Sequence, residues 1–149
     1  MRIPKKCQYA MRAIFELALR DTSRPVRISQ IAAAQNIPPR FLEVILNQLR
    51  HGRFVDSRRG SAGGYMLARP PDQITVGEIM DFMLGPLFAI DAERGSRDAN
   101  RSFTGDCAFA HLWQTIDKVV SSLCHSTTFA ELVDYEKAER TSTLPTYAI

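Results

Sequence analysis

The sequence predicts a mainly α-helical protein with a single two-stranded β-hairpin and a long helix near its C-terminus. Apolar residues recur at intervals of three and four over most of the chain, which is the periodicity of amphipathic helices. One segment, 53–69, instead places two short apolar runs on either side of a loop rich in Gly and Arg. A further apolar stripe continues at helical spacing over residues 109–123. These patterns indicate helices packed around one core, with the hairpin at its edge.

The composition is that of one compact unit outside the membrane. With 149 residues, of which 45% are hydrophobic, the chain can bury one core rather than two. No apolar run approaches the ~20 residues that span a bilayer, and residues 1–6 lack the apolar segment of a secretory signal. Three widely spaced cysteines do not form a disulfide framework, so we expect a cytoplasmic protein. The chain lacks a phosphate-binding loop, a paired-carboxylate motif and a nucleophile elbow, which predicts that it is not an enzyme.

The net charge of +3 conceals an uneven distribution along the chain. Residues 1–80 carry 13 Lys and Arg against 6 Asp and Glu, whereas residues 81–149 carry 6 against 10. A basic N-terminal half joined to an acidic C-terminal half is typical of a polyanion-binding module fused to a different unit. DNA-binding elements are therefore expected in the first half.

Two helices are predicted before residue 37. The first, 5–20, is amphipathic. Its apolar stripe comprises Tyr9, Ala10, Ala13, Ile14, Leu17 and Ala18, and its polar face comprises Lys5, Gln8, Arg12, Glu16 and Arg20. Residues 26–28 are compatible with a short strand. Ser29 is a favourable N-cap for a second helix over 30–35, which Asn36 ends.

The third predicted helix, Pro39–His51, has the composition of a DNA-recognition helix. Its core-facing residues, at i, i+3, i+4 and i+7, are Leu42, Ile45, Leu46 and Leu49. Its opposite face carries Arg40, Glu43, Asn47 and Arg50. In the major groove, Arg pairs with guanine, Glu with the cytosine amino group and Asn with adenine. A solvated helix face is the alternative, but the tight turn before this helix and the Arg-rich hairpin after it favour recognition.

The segment 53–69 predicts a β-hairpin that follows the helix pair as a wing. Its loop presents Arg58 and Arg59 next to glycines, which permit backbone angles closed to other residues. A slender loop with two guanidinium groups suits a DNA groove or a row of phosphates. The sequence therefore predicts a winged helix-turn-helix. Its predicted DNA-binding residues are Ser29, Gln30, Pro39, Arg40, Glu43, Asn47, Arg50, Arg58, Arg59, Gly60, Gly63, Gly64 and Tyr65.

A second function, from a different class, is a winged-helix protein-interaction module without specific DNA binding. A protein-docking surface would expose aromatic residues, whereas the predicted surface is rich in Arg and polar side chains. The sequence thus favours double-stranded DNA as the partner.

After the wing, the sequence predicts a short helix and then an aperiodic segment. Thr75 and Glu78 form a capping box, and Gly85 with Pro86 ends the helix. The inward residues of this helix are Ile79, Phe82 and Met83. Residues 86–106 lose helical periodicity, which predicts a flexible effector loop.

The long helix that follows is predicted to form the seam of a homodimer. Its apolar stripe comprises Phe109, Leu112, Trp113, Ile116, Val119, Val120 and Leu123. Such a stripe packs either on the chain's own N-terminal half or on the same helix of a second subunit. Helix-turn-helix proteins usually bind DNA as two-fold dimers, which favours the second arrangement.

A terminal helix completes the predicted organisation. Thr128 and Glu131 cap it, and it is expected to end at about Glu139. The predicted units are a DNA-binding domain over 1–85, the effector loop over 86–106, the dimerisation helix and terminal helix over 107–140, and a polar tail over 141–149.

Short motifs, in order along nearly the whole chain, resemble one family of regulators. They are Tyr9-Ala10 with Ala13, Pro25-Val26, Ile31-Ala32, Phe41-Leu42-Glu43, Leu49-Arg50, Arg59-Gly60, Gly63-Gly64-Tyr65, Val76 with Glu78-Ile79, Leu112-Trp113 and Glu131-Leu132-Val133. The sequence resembles the IscR/NsrR/CymR-type winged-helix transcription regulators, the Rrf-two family. This resemblance implies a homodimer that binds palindromic operator DNA, with Glu43, Arg59 and Gly60 as DNA readers.

Some members of this family bind an iron–sulfur cluster, and the cysteines of this sequence depart from the pattern of those members. Those members place three cysteines before the long helix, the last of them six residues ahead of the tryptophan. Cys107 stands six residues before Trp113, but residues 86–106 contain no cysteine. Iron–sulfur clusters are normally held by four protein ligands. A cluster is therefore implied by the family alone, with an incomplete cysteine set, and no firm metal site is assigned.

Cys107 and His111 are the candidate effector or redox residues. They lie four residues apart on one helical face, so they either share a metal or a charge, or form a buried structural thiol beside a capping histidine. The dipole at a helix N-terminus favours a reactive thiolate. Cys124 lies about 25 Å further along a continuous helix and cannot join them within one subunit. Cys7, in the first helix, is compatible with a packing role.

Overall fold

The computed structural model describes residues 3–20, 23–85 and 104–143. Three helices come first: α1 (Lys5–Leu19), α2 (Ile28–Gln35) and α3 (Pro39–His51). Strands β1 (Val55–Arg58) and β2 (Gly64–Leu67) form an antiparallel pair, which together with its loop 59–63 is the wing. A short 3-10 helix, Pro71–Gln73, then leads to α4 (Val76–Leu84), α5 (Asp106–Ser126) and α6 (Phe129–Thr143). The predicted mainly α-helical winged fold is confirmed.

One hydrophobic core joins the N-terminal helices to the end of the chain. It contains the apolar faces of α1 and α3, the base of the wing, and residues of α4. Phe129 and Val133 of α6 are also buried in it, at 1% and 5% exposure, because α6 packs against α1. The terminal helix thus shares the core of the helices that carry the wing.

The first helix departs from its predicted polarity at one residue. Glu16 was expected on the polar face, but it is buried. Its carboxylate accepts a 2.6 Å hydrogen bond from Arg20 Nε and a 2.8 Å hydrogen bond from Gln35 Nε2. A buried carboxylate with two donors is satisfied, so Glu16 ties α1 to the end of α2 instead of facing water.

The start of the second helix also differs from the prediction. Ser29 is not the N-cap, because α2 begins at Ile28 and Arg27 precedes it. The backbone N–H of Arg27 donates to Gln30 Oε1 at 3.1 Å, which satisfies an amide in front of the helix. The predicted short strand reduces to one residue, Val26, which forms an isolated antiparallel bridge with Tyr65. Asn36 ends the helix as predicted, in the left-handed conformation.

The third helix has the bounds that the sequence predicts. Proline opens it and Gly52 follows its last residue. The residue with positive φ at this corner is Arg53 rather than Gly52. Gly52 serves a packing purpose, because a Cβ there would lie 2.8 Å from the Phe82 ring and 2.9 Å from the Phe54 ring.

The capping box of α4 is confirmed, but one inward residue is not. Glu78 N–H donates to Thr75 Oγ1 at 3.2 Å, and Thr75 N–H donates to the Glu78 carboxylate at 2.9 Å. Phe82 was expected in the core and is 43% exposed. Its ring meets Phe54 edge-on at 5.3 Å, so it covers the corner between α3 and β1 from outside.

The last two helices, α5 and α6, are both present, and α6 is longer than predicted. No residue of α5 is buried, and α6 continues to Thr143, beyond the predicted end at about Glu139. Arg140 pairs with Glu136 at 2.6 Å one turn back, which supports the added turn. Most of the predicted effector loop, 86–103, lies outside the described residues. None of the helices in the described ranges is long and apolar enough to cross a membrane.

Candidate nucleic-acid interface

Helix α3 has one face in the core and one in solvent. Its four predicted core residues are at most 3% exposed. The opposite side, here called the outward face, exposes Arg40, Glu43, Asn47 and Arg50 as predicted. Pro39 is exposed at the first position of the same helix. The burial of one side fixes the rotation of the helix and hence the direction in which the polar side chains point.

The wing is fastened to the two preceding helices at three places. Val26 and Tyr65 exchange two backbone hydrogen bonds of 2.7 and 2.8 Å. Arg27 Nη2 donates to the Ser61 carbonyl in the wing loop at 2.7 Å. Arg50 Nη1 donates to Ser57 Oγ of β1 at 3.3 Å, which links the outward face of α3 to the wing. These contacts hold the wing loop and the recognition helix in one arrangement.

Glycine is required at three positions of the wing, for a different structural reason at each. Gly60 has φ of 106°, a conformation that favours glycine, and open space around its Cα. A Cβ on Gly63 would overlap the carbonyl of Arg58, so this residue allows the tight turn. A Cβ on Gly64 would overlap the backbone of Val26, so this residue allows the Val26–Tyr65 bridge.

The surface formed by the outward face and the wing is rich in unpaired positive charge. Arg40, Arg58 and Arg59 are exposed, and within the described ranges none of them lies in an ion pair with a carboxylate. Arg69 contrasts with them, since it pairs with Glu78 at 3.2 Å and its guanidinium lies 5.4 Å from the Phe54 ring centre. Free guanidinium groups on one surface suit phosphates and guanine edges.

The other predicted DNA-binding residues lie around this surface in different environments. Ser29 and Gln30 are exposed in the first turn of α2. Tyr65 is half-buried, and its side chain packs against the core. The structure therefore gathers the exposed side chains of α2, α3 and the wing loop on one surface, with Tyr65 at its base.

Sequence reasoning missed two kinds of residue on this surface. Arg27 was not predicted, although its guanidinium reaches the wing loop across 34 positions of sequence, a contact that no local pattern signals. Phe41 and Val44 were overlooked because they are apolar, yet they are 64% and 56% exposed on α3. Their positions relative to the four core residues were the available signal.

The stripe of α5 is exposed in the single chain. Val120 is half-buried, and the other six stripe residues are 40–64% exposed. The alternative in which the stripe folds back onto the chain's own N-terminal half is therefore wrong for this helix. Its last turns do contact α4: His125 Nε2 lies 2.9 Å from Asp81 Oδ2, and its ring packs on Gly77.

His125 is the titratable group at this contact. Its Nδ1 lies 2.8 Å from the Ser121 carbonyl, so both ring nitrogens face acceptors, an arrangement that only the imidazolium satisfies fully. The Ser121 carbonyl first, and then Asp81 and Glu78, raise the pKa of His125 above its ordinary value.

The three cysteines lie in three different environments. Cys7 is buried in the core, and burial raises the pKa of its thiol. Cys124 is half-buried, and burial, together with Asp81, raises its pKa. Cys107 is exposed in the first turn of α5, so the alternative that it is a buried structural thiol is wrong within the single chain. His111, one turn later, is also exposed.

A helix pair, a recognition helix with a polar outward face and an Arg-tipped wing define a winged helix-turn-helix DNA-binding protein. The chain belongs to the Rrf2 family, described as iron-dependent transcriptional regulators, which matches residues 3–135. It is thus a DNA-binding transcriptional regulator, and the proteins that it resembles are regulators rather than enzymes.

Relatives match over most of their length. An HTH-type transcriptional regulator of Mycobacterium tuberculosis is 36% identical over 133 residues, which cover 89% of this chain and 81% of that protein. CymR of Bacillus subtilis is 31% identical over 140 residues, covering 94% and 95%. The solved structure of this CymR, called the global cysteine regulator, has a TM-score of 0.72 at 29% identity, covering 91% of this chain and 98% of that one. T. potens IscR has a TM-score of 0.76 at 27% identity, covering 99% and 95%.

Proposed function

We propose that this regulator binds a palindromic DNA operator as a homodimer, with α3 in the major groove and the wing loop against the flanking backbone or minor groove. The observation that carries the proposal is the outward face of α3, whose polar side chains stand beside the unpaired arginines of the wing. The major groove of B-DNA accommodates one α-helix, and the wing extends the contact beyond it.

Each element of this surface has a distinct role in the proposal. Arg40 contacts guanine, Glu43 accepts from the cytosine amino group, and Asn47 pairs with adenine. Arg50 is held by Ser57, so it positions the wing as well as lying beside the groove. The first turn of α2, with Ser29 and Gln30, and the start of α3 at Pro39 would contact phosphates, since helix N-termini favour anions; Pro39 has no N–H, so the amides after it would donate.

The wing loop supplies contacts that depend on charge and shape. Arg58 and Arg59 neutralise phosphates or enter the minor groove. Gly60 lets the backbone approach closely, while Gly63, Gly64 and half-buried Tyr65 hold the loop in position.

The exposed stripe of α5 supports the proposed homodimer. Large apolar side chains in one row, including Trp113 at 49% exposure and Leu123 at 64%, form a patch that monomeric proteins rarely leave in water. The second copy of α5 carries the same stripe, and a two-fold axis would bury both. Two reading helices related by that axis require half-sites one or more DNA turns apart, about 34 Å for one turn.

The donor set of this chain does not fit the iron–sulfur cluster that the resemblance to cluster-binding regulators implies. Of the three cysteines, only Cys107 stands where the cluster-binding members place theirs, whereas Cys7 is buried in the core and Cys124 lies in the last turn of α5. In the described ranges, no group of three or more His, Cys, Asp and Glu residues is placed to hold a metal ion. We therefore assign no cluster and route no step of the mechanism through one.

Cys107 and His111 remain the candidate effector pair. Both are exposed on α5 next to the proposed dimer seam, so oxidation or ligation at the thiol would occur beside the subunit contact. Staphylococcus aureus CymR, 25% identical to this chain, has been crystallised in an oxidized form. A redox response at Cys107 is consistent with that relative.

DNA binding by variants of the wing and of α3 tests the proposal. Because a homodimer loses two phosphate contacts, Arg59→Ala at 0.15 M salt should weaken binding about thirtyfold and lower the salt slope by about two, since each contact contributes a slope near 0.9. Glu43→Ala should instead relax base preference by ~1–3 kcal/mol at one position. Arg140→Ala, on α6 and paired with Glu136, is the matched control and should change neither. Equal losses of DNA affinity in Arg59→Ala and in the control would show that the DNA binds elsewhere on the protein.

A further inference from the structure

An apolar residue, Val44, lies among the polar residues near the centre of the outward face of α3. At 100° per residue, the direction opposite to the four buried residues passes within about 30° of four exposed residues: Arg40, Val44, Asn47 and His51. Glu43 lies on the flank towards the wing, as does Arg50, which contacts Ser57. Val44 therefore occupies a central position between two polar readers, one turn after Arg40 and just under one turn before Asn47.

The side chain of Val44 makes this position unusual for a solvent-exposed helix. It is 56% exposed, and a β-branched residue in a helix interior is less favourable than Ala, Glu or Lys. Neither the hydrophobic effect within this chain nor helix propensity explains a valine here. An apolar partner outside the chain would remove its methyl groups from water.

Resting on the proposed function, we propose that Val44 is a specificity residue that contacts the 5-methyl group of a thymine in the major groove. Valine carries neither a hydrogen-bond donor nor an acceptor, and the thymine methyl is the apolar group that a base pair presents on that edge. The arginines around it keep the helix against DNA by their charge. Arg40 and Asn47 lie about 6 Å and 4.5 Å from Val44 along the helix axis, so all three reach neighbouring base pairs.

Replacement of thymine by uracil isolates this contact, because it deletes the methyl group and leaves base pairing intact. The probe is a duplex selected from a random library by the full-length wild-type protein. Each thymine of one half-site is then replaced in turn. One position should lose about fourfold in affinity for the wild type, the effect of one buried methyl-sized group.

The same duplexes with variants identify the side chain that makes the contact. Val44→Ala should bind thymine and uracil at that position equally, and it should fold because Ala favours a helix. Asn47→Ala, on the same face, should bind more weakly but retain the fourfold ratio. Phe41→Ala, on the flank away from the wing, should retain it too.

Three outcomes would count against the inference in different ways. Selection that yields no preferred duplex contradicts the proposed function itself. A selected duplex that tolerates uracil at every thymine overturns the methyl contact alone. A uracil effect that persists in Val44→Ala and disappears in Phe41→Ala assigns the contact to Phe41 and overturns the role of Val44.

Discussion

The attachment of the wing depends on a glycine that sequence reasoning had placed among the DNA contacts. Replacing Gly64 by Ala would drive its Cβ into the Val26 backbone, which exchanges two hydrogen bonds with Tyr65. Gly64→Ala should therefore separate the wing from the segment before α2. Gly60→Ala is the matched control, since Gly60 also has positive φ but a Cβ there would meet no atom within 4 Å.

The expected loss follows from the two variants together. Both place Ala in a conformation that side chains avoid, which costs ~1 kcal/mol or more in each. Of the two variants, only Gly64→Ala also loses the two bridge hydrogen bonds, each of which contributes ~1 kcal/mol net. Its free energy of unfolding should thus fall about 2 kcal/mol below that of Gly60→Ala.

Urea unfolding at one fixed protein concentration measures this difference, because the stability of an oligomer depends on concentration. With an m-value of about 2 kcal/mol/M, the midpoint of Gly64→Ala should lie about 1 M below that of Gly60→Ala. Coincident midpoints would show that the bridge contributes nothing, and the account of Gly64 would be wrong.

Three further predictions concern α5. Replacing Ile116 and Val120 together by Glu should give monomers in light scattering and weaken operator binding, because charge would enter an apolar seam; an unchanged dimer would move the interface elsewhere. His125→Gln should destabilise the protein at pH 6 more than at pH 8 in thermal unfolding. The raised pKa of His125 gives a stabilisation that is fully present below the unfolded-state pKa and is lost as pH rises through the folded-state pKa. Asp81→Asn should weaken this pH dependence without abolishing it, because the Ser121 carbonyl also raises the pKa of His125. Cys107→Ser should abolish any loss of DNA binding that peroxide causes in the wild type, and equal responses would remove Cys107 from the redox hypothesis.

The elements that the sequence predicted well are those determined within a few residues. Helix α3 matches its predicted bounds because its apolar spacing, its opening proline and the glycine after it agree. The two capping boxes at Thr75 and Thr128 are local reciprocal hydrogen bonds and are present as predicted. The wing has its glycines and arginines in one short segment, so the hairpin itself could also be predicted from local chemistry.

The departures involve partners distant in sequence. Glu16 is buried because Gln35, on another helix, donates to it, and periodicity alone placed it in water. Phe82 covers a corner formed by Gly52 and Phe54 instead of entering the core. Ser29 is not the N-cap because Arg27 and Gln30 satisfy the helix start two residues earlier than propensity suggested.

The residues of the candidate site also divide into those that the sequence identified and those that it did not. Side-chain type identified Arg40, Glu43 and Asn47, whose exposure the structure bears out. Side-chain type also concealed Val44, because an apolar residue on an amphipathic helix is ordinarily assigned to the core. Its position relative to the buried residues, rather than its chemistry, places it on the outward face.

Helix α4 contacts both the end of α5 and the corner after α3, and these contacts explain why α5 and α3 keep a fixed relation. At its start, Val76 N–H donates to the Thr127 carbonyl at 2.9 Å, and Gly77 supports the His125 ring, so the end of α5 is held against the first turn. At its other end, Phe82 packs against the corner after α3. A rotation of α5 would therefore strain contacts at both ends of α4, because packed interfaces shift between discrete arrangements rather than deform smoothly. In the proposed dimer, the subunit contact along α5 would thus fix the separation of the two α3 helices.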